Sequence, residues 1–445
     1  MKLKISMIGG GSYSWTYGLF STFLDNPFFD RETELCLYDI NETALDNVYR
    51  FCKYYNDMYP DKAITLTKTL SEDEALEGSN YVAIAISHGG LEAELEDHLI
   101  TRRHGFYNVK GSESGIAGAS RTIRHVPEFV RIAKKMNRLC PGATILNVTN
   151  PLTSLTRCVQ KYAGVHAVGF CHGIRNHLEI LLPYFGAKSF DEVSFSVSGV
   201  DHCSFLTDVK FHGEDALKIM RDKGMIEAAW AGKTNITYDD PFAGRENQRI
   251  RFILWDMLGC MPGLSDEHCA EFYYQTTGNQ ENRDRFGMHY DRLEDRTTSV
   301  KRLRDDIVVP LETGNMPPLR ISSERMERVV EALEGGREFY DVVNYRNFGQ
   351  VRELPMDTVV ETMVTFDATG VHPAIANPLP KSAQAIVIPT ALREELFMEA
   401  AMEWDAAKLT SALCIDPLVQ DFTRVRDVVK DLMDYNAKWL PKDMK

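Results

Sequence analysis

The chain has 445 residues, of which 44% are hydrophobic and 26% charged, and its formal charge is -14. That length suits two large domains, and the acidic balance argues against a nucleic-acid surface, which needs a basic stripe. No apolar run approaches the ~18 residues of a spanning helix, and we expect no signal peptide. Nine cysteines without a CxxC pair predict free thiols in a reducing compartment. These features predict a cytoplasmic protein with neither nucleic acid nor membrane as a partner.

The chain opens with a short apolar strand, Lys4–Ile8, followed at once by the turn Gly9–Ser12 and a predicted helix, Ser14–Leu24. Glycines at a strand-to-helix turn let the backbone approach a pyrophosphate, which the helix N-terminus attracts. The next strand, Glu34–Tyr38, ends in Asp39, whose carboxylate can accept both ribose hydroxyls and repels a 2′-phosphate. The pattern predicts a site for NAD rather than NADP. The alternative is a glycine turn that only packs closely.

Alternation of strands and helices continues along the first half of the chain. The further predicted elements are the strand Tyr81–Ser87, a helix from Ile123 to the break at Pro141, and the strands Thr144–Val148 and Val165–Phe170. Continuous apolar runs of this kind are typical of buried parallel strands. The sequence predicts an α/β protein, with a Rossmann-type doubly wound parallel sheet over residues 1–175 and a second domain over residues 176–445.

A thiol and an imidazole follow the last of these strands, at Cys171 and His172. Ligands of open α/β sheets bind at the carboxyl ends of the strands, and Cys with His suits a divalent transition metal. A second imidazole, His202, follows Gly199 inside a predicted hairpin, Asp191–His212. The alternative for each residue alone is ordinary core packing.

Several segments together resemble glycoside hydrolase family 4. These segments are Gly115–Gly118 followed by Arg121–Arg124, Asn147–Pro151, Cys171–Gly173, Gly199–His202, Asp266–Phe272 and Asn344–Gly349. The family consists of NAD- and Mn²⁺-dependent glycosidases whose fold is akin to lactate and malate dehydrogenases. The resemblance therefore implies an α+β substrate domain after the Rossmann domain, a small-molecule glycoside as substrate, and a homodimer or homotetramer.

The resemblance also implies a retaining mechanism outside the usual two-carboxylate scheme. NAD takes hydride from C3 of the sugar, a base removes the C2 proton, the leaving group departs from C1, water adds, and hydride returns. A divalent ion on the C2 and C3 oxygens acts as a Lewis acid. The implied roles are general acid for His172, general base for Asp266, metal ligation for Cys171 and His202, sugar contact for Asn150, and cofactor contacts for Gly9, Gly11, Ser12, Tyr13, Asp39 and Asn147. The alternative for Asp266 is the N-cap of a helix.

The residues after the metal cysteine bear on the sugar. Cys171–Gly173 is similar to the branch that acts on α-glucuronides and α-galacturonides, and Arg175 follows it directly. A guanidinium is the natural fork for a carboxylate, although Arg175 could equally lie on the surface. Arg121, Arg124 and Arg283 are further candidates for anion contacts.

Other functions fit parts of the same pattern. An NAD-dependent sulfoquinovosidase would use Arg175 for a sulfonate, and a neutral α-galactosidase or α-glucosidase would not need it. An NAD-dependent dehydrogenase of a sugar acid or hydroxy acid would also explain the glycine loop and Asp39, but it would accumulate NADH. A nucleotide-sensing binding protein would leave Cys171, His172 and Asp266 without a role.

Overall fold

The computed structural model describes residues 3–234, 237–240, 244–288, 292–322 and 324–444. Over these ranges, no helix combines the length and the apolar composition that a membrane span needs. The strands of this part are β1 (Leu3–Ile8), β2 (Thr33–Tyr38), β3 (Thr65–Thr69), β4 (Tyr81–Ile84), β5 (Thr144–Asn147), β6 (Ala167–Gly169), β7 (Val193–Val200), β8 (Cys203–Phe211), β9 (Glu214–Asp215), β10 (Thr237–Asp240), β11 (Gly244–Asn247), β12 (Met261–Pro262), β13 (Phe339–Arg346), β14 (Val359–Asp367) and β15 (Gly370–Pro373).

Helices lie between the strands and dominate the end of the chain. They are α1 (Thr16–Asp25), α2 (Glu42–Met58), α3 (Glu72–Leu76), α4 (Gly90–Arg103), α5 (Gly115–Leu139), α6 (Leu152–Ala163), α7 (Gly173–Glu179), α8 (Leu182–Phe185), α9 (Ala216–Asp222), α10 (Met225–Trp230), α11 (Arg249–Leu258), α12 (Asp266–Ala270), α13 (Tyr274–Thr277), α14 (Gln280–Phe286), α15 (Arg292–Thr313), α16 (Met326–Leu333), α17 (Lys381–Glu403), α18 (Ala406–Cys414) and α19 (Val425–Asn436). Short 3-10 turns lie at Phe190–Glu192, Phe422–Arg424, Ala437–Trp439 and Lys442–Met444.

Thirteen strands of the described ranges form one sheet, in the order β12-β8-β7-β14-β13-β6-β5-β4-β1-β2-β3, with β15 beside β14 and β9 beside β8. Strands β1 to β6 are all parallel, and the order 3-2-1-4-5-6 is that of a Rossmann sheet. The remaining strands of the sheet pair antiparallel. The predicted doubly wound parallel sheet is therefore confirmed, and it continues directly into an antiparallel half.

One row of paired residues joins the two halves of this sheet. Asn147 pairs with Gly169, Gly169 with Asn344, Asn344 with Glu361, and Glu361 with Gly199. A Cβ atom at Gly169 would lie 2.9 Å from the Cβ of Asn344, which is too close for any side chain. Glycine at this position therefore lets the parallel half approach the antiparallel half.

The end of the chain returns to the first half of the fold. Phe397 and Met398 of α17 share one buried core with Phe129 and Val130 of α5. The last helical segment thus covers the Rossmann sheet, although it follows the antiparallel strands in sequence. The domain boundary at residue 175 stays a prediction.

Helix α5 begins at Gly115, eight residues before the predicted start at Ile123. The first six residues of the helix, 115–120, are small or apolar and all buried. Because none of these six residues faces solvent, the periodicity that indicates an amphipathic helix is missing. The predicted strand over Tyr81–Ser87 is also shorter than expected and ends at Ile84.

Candidate active site

The glycine turn after β1 is packed so closely that side chains are excluded. A Cβ atom on Gly9 would lie 2.2 Å from the carbonyl oxygen of Ala85, and Gly9 has a φ of +91°. A Cβ on Gly11 would lie 2.9 Å from Oδ2 of Asp39. The backbone of this turn is therefore bare, which is the condition for close approach of a pyrophosphate.

Asp39, at the end of β2, is tied to this turn. Its Oδ2 accepts the amide hydrogen of Gly11 at 2.9 Å, and its Oδ1 accepts that of Asn41 at 2.8 Å. Tyr13 follows the turn, and its hydroxyl accepts a hydrogen bond from Asn47 at 3.1 Å. The structure thus places Gly9, Gly11, Tyr13 and Asp39 around one turn, where a dinucleotide binds in sheets of this topology.

The segment after β5 brings Asn150 to the main cavity, whereas Asn147 stays behind it. Asn147 is fully buried, and its side chain accepts the amide hydrogen of Thr149 at 2.8 Å and donates to Thr156 at 3.3 Å. Asn150 lines the cavity and is followed by a cis bond to Pro151. The structure therefore gives Asn147 the role of shaping this turn rather than the predicted cofactor contact.

Cys171, Asp201 and His202 form a group that could hold a metal ion. Their ligand atoms all lie within 4.8 Å of one another. Cys171 lies two residues after Gly169, and the other two residues make the turn between β7 and β8, with His202 at a φ of +61°. The pair predicted from the sequence thus comes together with a third candidate ligand, Asp201, to which the sequence pattern gives no role.

The carboxylate of Asp201 is fully buried at this group. Its Oδ1 accepts a hydrogen bond from Asn344 at 2.9 Å, and its Oδ2 lies 3.4 Å from Nε2 of His202. Oδ2 has no hydrogen-bond partner among the described residues. A buried carboxylate oxygen in this state is costly without a cation, so the donor set fits a divalent metal.

Burial also sets the protonation of the other two ligands. Burial and the carboxylates of Asp201, Glu361 and Glu324 raise the pKa of the Cys171 thiol well above its ordinary value. Burial lowers the pKa of His202, which favours the neutral imidazole that binds metals. Metal binding at this group must therefore displace a proton from sulfur.

A cavity of about 280 Å³ is lined by Cys171 and His202 of this group and by residues that follow the parallel strands. Ser12, Asn150, Cys171, His172 and His202 all line it. Sequence reasoning predicted those five residues, and the structure brings them together. It also adds residues that lacked a predicted role, which are Ser14, Trp15, Ser87, Glu94, Lys110, Asn176, His177, His268 and Arg296.

His172 lies where this cavity meets a second one of about 660 Å³. Its Nδ1 makes a short hydrogen bond with Oε1 of Glu324, whose side chain is 2% exposed. The ring of Trp15 lies 5.9 Å from that of His172, between centroids. The carboxylate therefore orients the imidazole.

Asp266, the predicted base, does not line the cavity. Its carboxylate is fully buried and accepts the amide hydrogens of Arg249 at 2.8 Å and Arg251 at 2.9 Å. The N-cap of α12 is Ser265, so the alternative prediction, that Asp266 is the N-cap of this helix, is wrong. His268, two residues later, does line the cavity, with its ring centroid 4.6 Å from that of His202.

Arg175, the predicted contact for the sugar's carboxylate, also lies outside the cavity lining. Its Nη1 donates to Asp341 at 2.9 Å, and its guanidinium lies 4.3 Å from the ring centroid of Phe190. Its neighbours Asn176 and His177 line the cavity, but Arg175 is not among the lining residues of the described ranges. The guanidinium is therefore already committed to a carboxylate of the protein.

Family models match almost the whole chain. The model "Family 4 glycosyl hydrolase" matches residues 4–182, and that of the "Family 4 glycosyl hydrolase C-terminal domain" matches residues 197–419. The chain belongs to glycosyl hydrolase family 4. The predicted family is confirmed, and with it the prediction that the protein is a glycosidase.

Curated relatives of this family 4 glycosyl hydrolase are similar along their full length. An α-galactosidase of Rhizobium meliloti (strain 1021) is 26% identical over 458 residues, which cover 99% of this chain and 89% of that protein. An α-galacturonidase of Lachnoclostridium phytofermentans is 25% identical over 468 residues, which cover 99% of this chain and 97% of that protein. Relatives that are named for different sugars are thus about equally similar to this chain.

Solved structures share the fold at lower identity. A structure described as a glucosidase from Bacillus subtilis has a TM-score of 0.85 at 24% identity, covering 97% of this chain and 99% of that one. A 6-phospho-α-glucosidase from gut microorganisms, in complex with NAD and Mn²⁺, has a TM-score of 0.82 at 18% identity and covers 99% of each chain. Malate dehydrogenase of Plasmodium falciparum has a TM-score of 0.51 at 10% identity, covering 90% and 99%. The predicted likeness to a dehydrogenase fold is confirmed.

Proposed function

We propose that this family 4 glycosyl hydrolase is an NAD- and Mn²⁺-dependent retaining α-glycosidase for an anionic sugar, an α-glucuronide or α-galacturonide. The observation that carries the proposal is one cavity lined both by Ser12 of the glycine turn and by Cys171 and His202, which form a ligand group with Asp201. A nucleotide on the turn and an ion on this group would both reach one sugar ring. Relatives named for galacturonides and a related structure with NAD and Mn²⁺ support the same assignment.

The residues present fit both groups. The bare glycine turn and Asp39 suit a dinucleotide, and the sulfur, nitrogen and orphaned buried oxygen suit a borderline divalent metal. When bound, NAD supplies a hydride acceptor for C3, and Mn²⁺ supplies a Lewis acid for the C2 and C3 oxygens. Elimination across C1 and C2, addition of water and return of the hydride to C3 would complete the proposed sequence, so the net reaction is hydrolysis and the cofactor is regenerated.

His172 is the proposed general acid for the leaving oxygen. It lines both cavities, so a sugar in the smaller cavity would place its leaving group in the larger one. The larger cavity is lined by aromatic and apolar side chains, including those of Trp15, Tyr17 and Ile307, together with polar and charged ones. An aromatic or apolar aglycone would therefore fit there, and Glu324 would position the imidazole that protonates its oxygen.

The base for the C2 proton is reassigned within its segment. Asp266 faces two backbone amides, whereas His268 lines the cavity beside His202. Burial lowers the pKa of His268 well below its ordinary value, which favours the neutral, proton-accepting form. We therefore assign the base to His268, with Asp266 holding the start of α11 and α12 together.

Substrate and mechanism can be tested separately. A panel of p-nitrophenyl α-glycosides (glucuronide, galacturonide, sulfoquinovoside, galactoside and glucoside) with NAD⁺ and Mn²⁺ should show preference for the uronides. Turnover in D₂O should place deuterium at C2 of the released sugar, and no NADH should accumulate. Intact hydrolysis without exchange at C2 would contradict the mechanism, since an ordinary hydrolase never breaks that bond. Net NADH formation would indicate a dehydrogenase instead.

Two matched variants test the base. His268→Gln should suppress C2 exchange while bound NADH still forms, because hydride transfer precedes the base's step. Asp266→Asn should leave the ratio of exchange to hydride transfer unchanged. The reverse pattern would restore Asp266 as the base. The homo-oligomeric state and the cytoplasmic location stay predictions.

A further inference from the structure

Three helices each contribute one charged side chain to a cluster on the wall of the catalytic cavity. Glu94 of α4, Arg121 of α5 and Arg296 of α15 all line it. Nε of Arg296 donates to Oε1 of Glu94 at 2.9 Å, and Nη2 of Arg121 lies 3.8 Å from Oε2 of the same carboxylate. One carboxylate thus faces two guanidinium groups, and the cluster has a formal charge of +1.

The guanidinium of Arg121 lacks part of its possible hydrogen bonds within this cluster. Its side chain is 12% exposed, its ion pair with Glu94 is long, and its buried Nε has no hydrogen-bond partner among the described residues. Burial lowers the pKa of Arg121, as expected for a cation removed from water without full compensation. An anion in the cavity would add an acceptor for the exposed part of this side chain, and a guanidinium can bind an oxyanion through two parallel hydrogen bonds.

The other arginines considered from the sequence are already occupied. Arg175 pairs with Asp341. Arg124 makes two hydrogen bonds to Asp97, at 2.9 and 2.7 Å. Arg283 stacks on a tyrosine ring away from the catalytic cavity. Of these four candidates, Arg121 is the one that lines the catalytic cavity.

We propose that Arg121, with Arg296 held beside it by Glu94, binds the C6 oxyanion of the sugar. The inference rests on the proposed function and names the residues that would select its substrate class. The formal charge of +1 matches a monoanion, either a carboxylate or a sulfonate. A dianionic 6-phosphate would leave an excess negative charge beside buried Glu94, which disfavours it. Neutral glycosides would leave the guanidinium unpaired.

The first test measures binding without turnover. Calorimetric titration of the wild-type protein with D-galacturonate, D-glucuronate and sulfoquinovose, against D-galactose, shows which oxyanion is held. In Arg121→Lys the affinity for the preferred acid sugar should fall by about tenfold or more, the size of a lost charge-assisted hydrogen bond, because lysine keeps the charge but not the fork. Arg175→Lys is the matched control and should bind as the wild type does. Equal affinity in the Arg121 variant and the wild type would overturn the proposal.

The second test separates this proposal from the proposed function. The value of kcat/KM is compared for the α-galacturonide and the α-galactoside in the wild type, Arg121→Lys and Glu94→Gln. A loss of kcat/KM in Arg121→Lys that is confined to the galacturonide supports the proposal. An equal loss of kcat/KM on both substrates overturns the proposal. In that case a wild-type preference for the uronide would still support the proposed function. Wild-type preference for the neutral sugar, without binding of any acid sugar, would overturn both.

Glu94→Gln supplies an independent check that does not depend on the folding of the Arg121 variant. Removing this charge raises the formal charge of the cluster to +2, so affinity for galactose 6-phosphate should rise relative to that for galacturonate. An unchanged ratio of the two affinities, in a variant whose melting temperature shows that it is folded, would overturn the proposal.

Discussion

Asp201→Asn tests the ligand that the structure adds to the predicted metal pair. In the folded protein the carboxylate accepts from Asn344 through Oδ1, while Oδ2 points toward His202 without a hydrogen-bond partner in the described part of the chain. The substitution keeps the shape of the side chain and removes its charge. Loss of one charge-assisted contact is worth about 1.5–3 kcal/mol, so the Kd for Mn²⁺ should rise by about 10- to 150-fold.

The assay is the electron paramagnetic resonance signal of free Mn²⁺ during titration of chelator-treated protein. Asp208→Asn is the matched control, because Asp208 lies on β8 after the same hairpin turn but pairs with Lys210 at the surface. The control should bind Mn²⁺ as tightly as the wild type. A Kd for Asp201→Asn within the error of the wild-type value would show that its carboxylate does not ligate the ion.

Three further variants address the thiol, the nucleotide and the buried acids. Cys171→Ser should abolish metal-dependent hydrolysis and leave the fluorescence titration with NADH unchanged, because a serine hydroxyl is a poor ligand at neutral pH; full activity would remove Cys171 from the metal site. Asp39→Ala should weaken NAD binding by roughly 1–3 kcal/mol and narrow its preference over NADP, measured by calorimetry; an unchanged Kd would mean that Asp39 does not hold the ribose. Burial raises the pKa of Glu394 to about 8 from 4.5, so the folded state keeps a proton that the unfolded state loses. The stability from this group is present below pH 4.5 and is lost as the pH rises through about 8. In urea denaturation, Glu394→Gln should therefore lose less free energy of unfolding than the wild type between pH 5 and 8. Equal losses in the variant and the wild type would show that the pKa of Glu394 is not raised in the folded state.

Local patterns predicted the parallel half of the fold well. Strand β1, the glycine turn and Asp39 follow one another within a short stretch, so the chemistry of the turn is visible in the sequence. The same holds for Cys171, which follows β6 directly. The start of helix α5 could not be predicted in this way, because a helix that is buried on all sides at its start has no amphipathic period.

Pairings between distant residues decided the cases that sequence reasoning missed. Arg175 meets Asp341, which lies 166 residues away, and its commitment there could not be read from its neighbours. The carboxylate of Asp266 turns to the amides of Arg249 and Arg251, which precede it by 17 and 15 residues. An arginine or an aspartate near a recognised segment therefore predicts a charge in the region, but not the direction in which the side chain faces.

The metal group illustrates why register matters more than spacing. Cys171 and Asp201 are thirty residues apart and stand on different halves of the sheet, with β13 and β14 between β6 and β7. Both segments begin two residues from the row in which Gly169 pairs with Asn344 and Gly199 pairs with Glu361. A one-residue slip in either pairing would turn alternate side chains to the other face of the sheet, and Asn344 would then lose its hydrogen bond to Asp201. The donor set is therefore a consequence of strand register set by β13 and β14, which lie more than 130 residues beyond it in the chain.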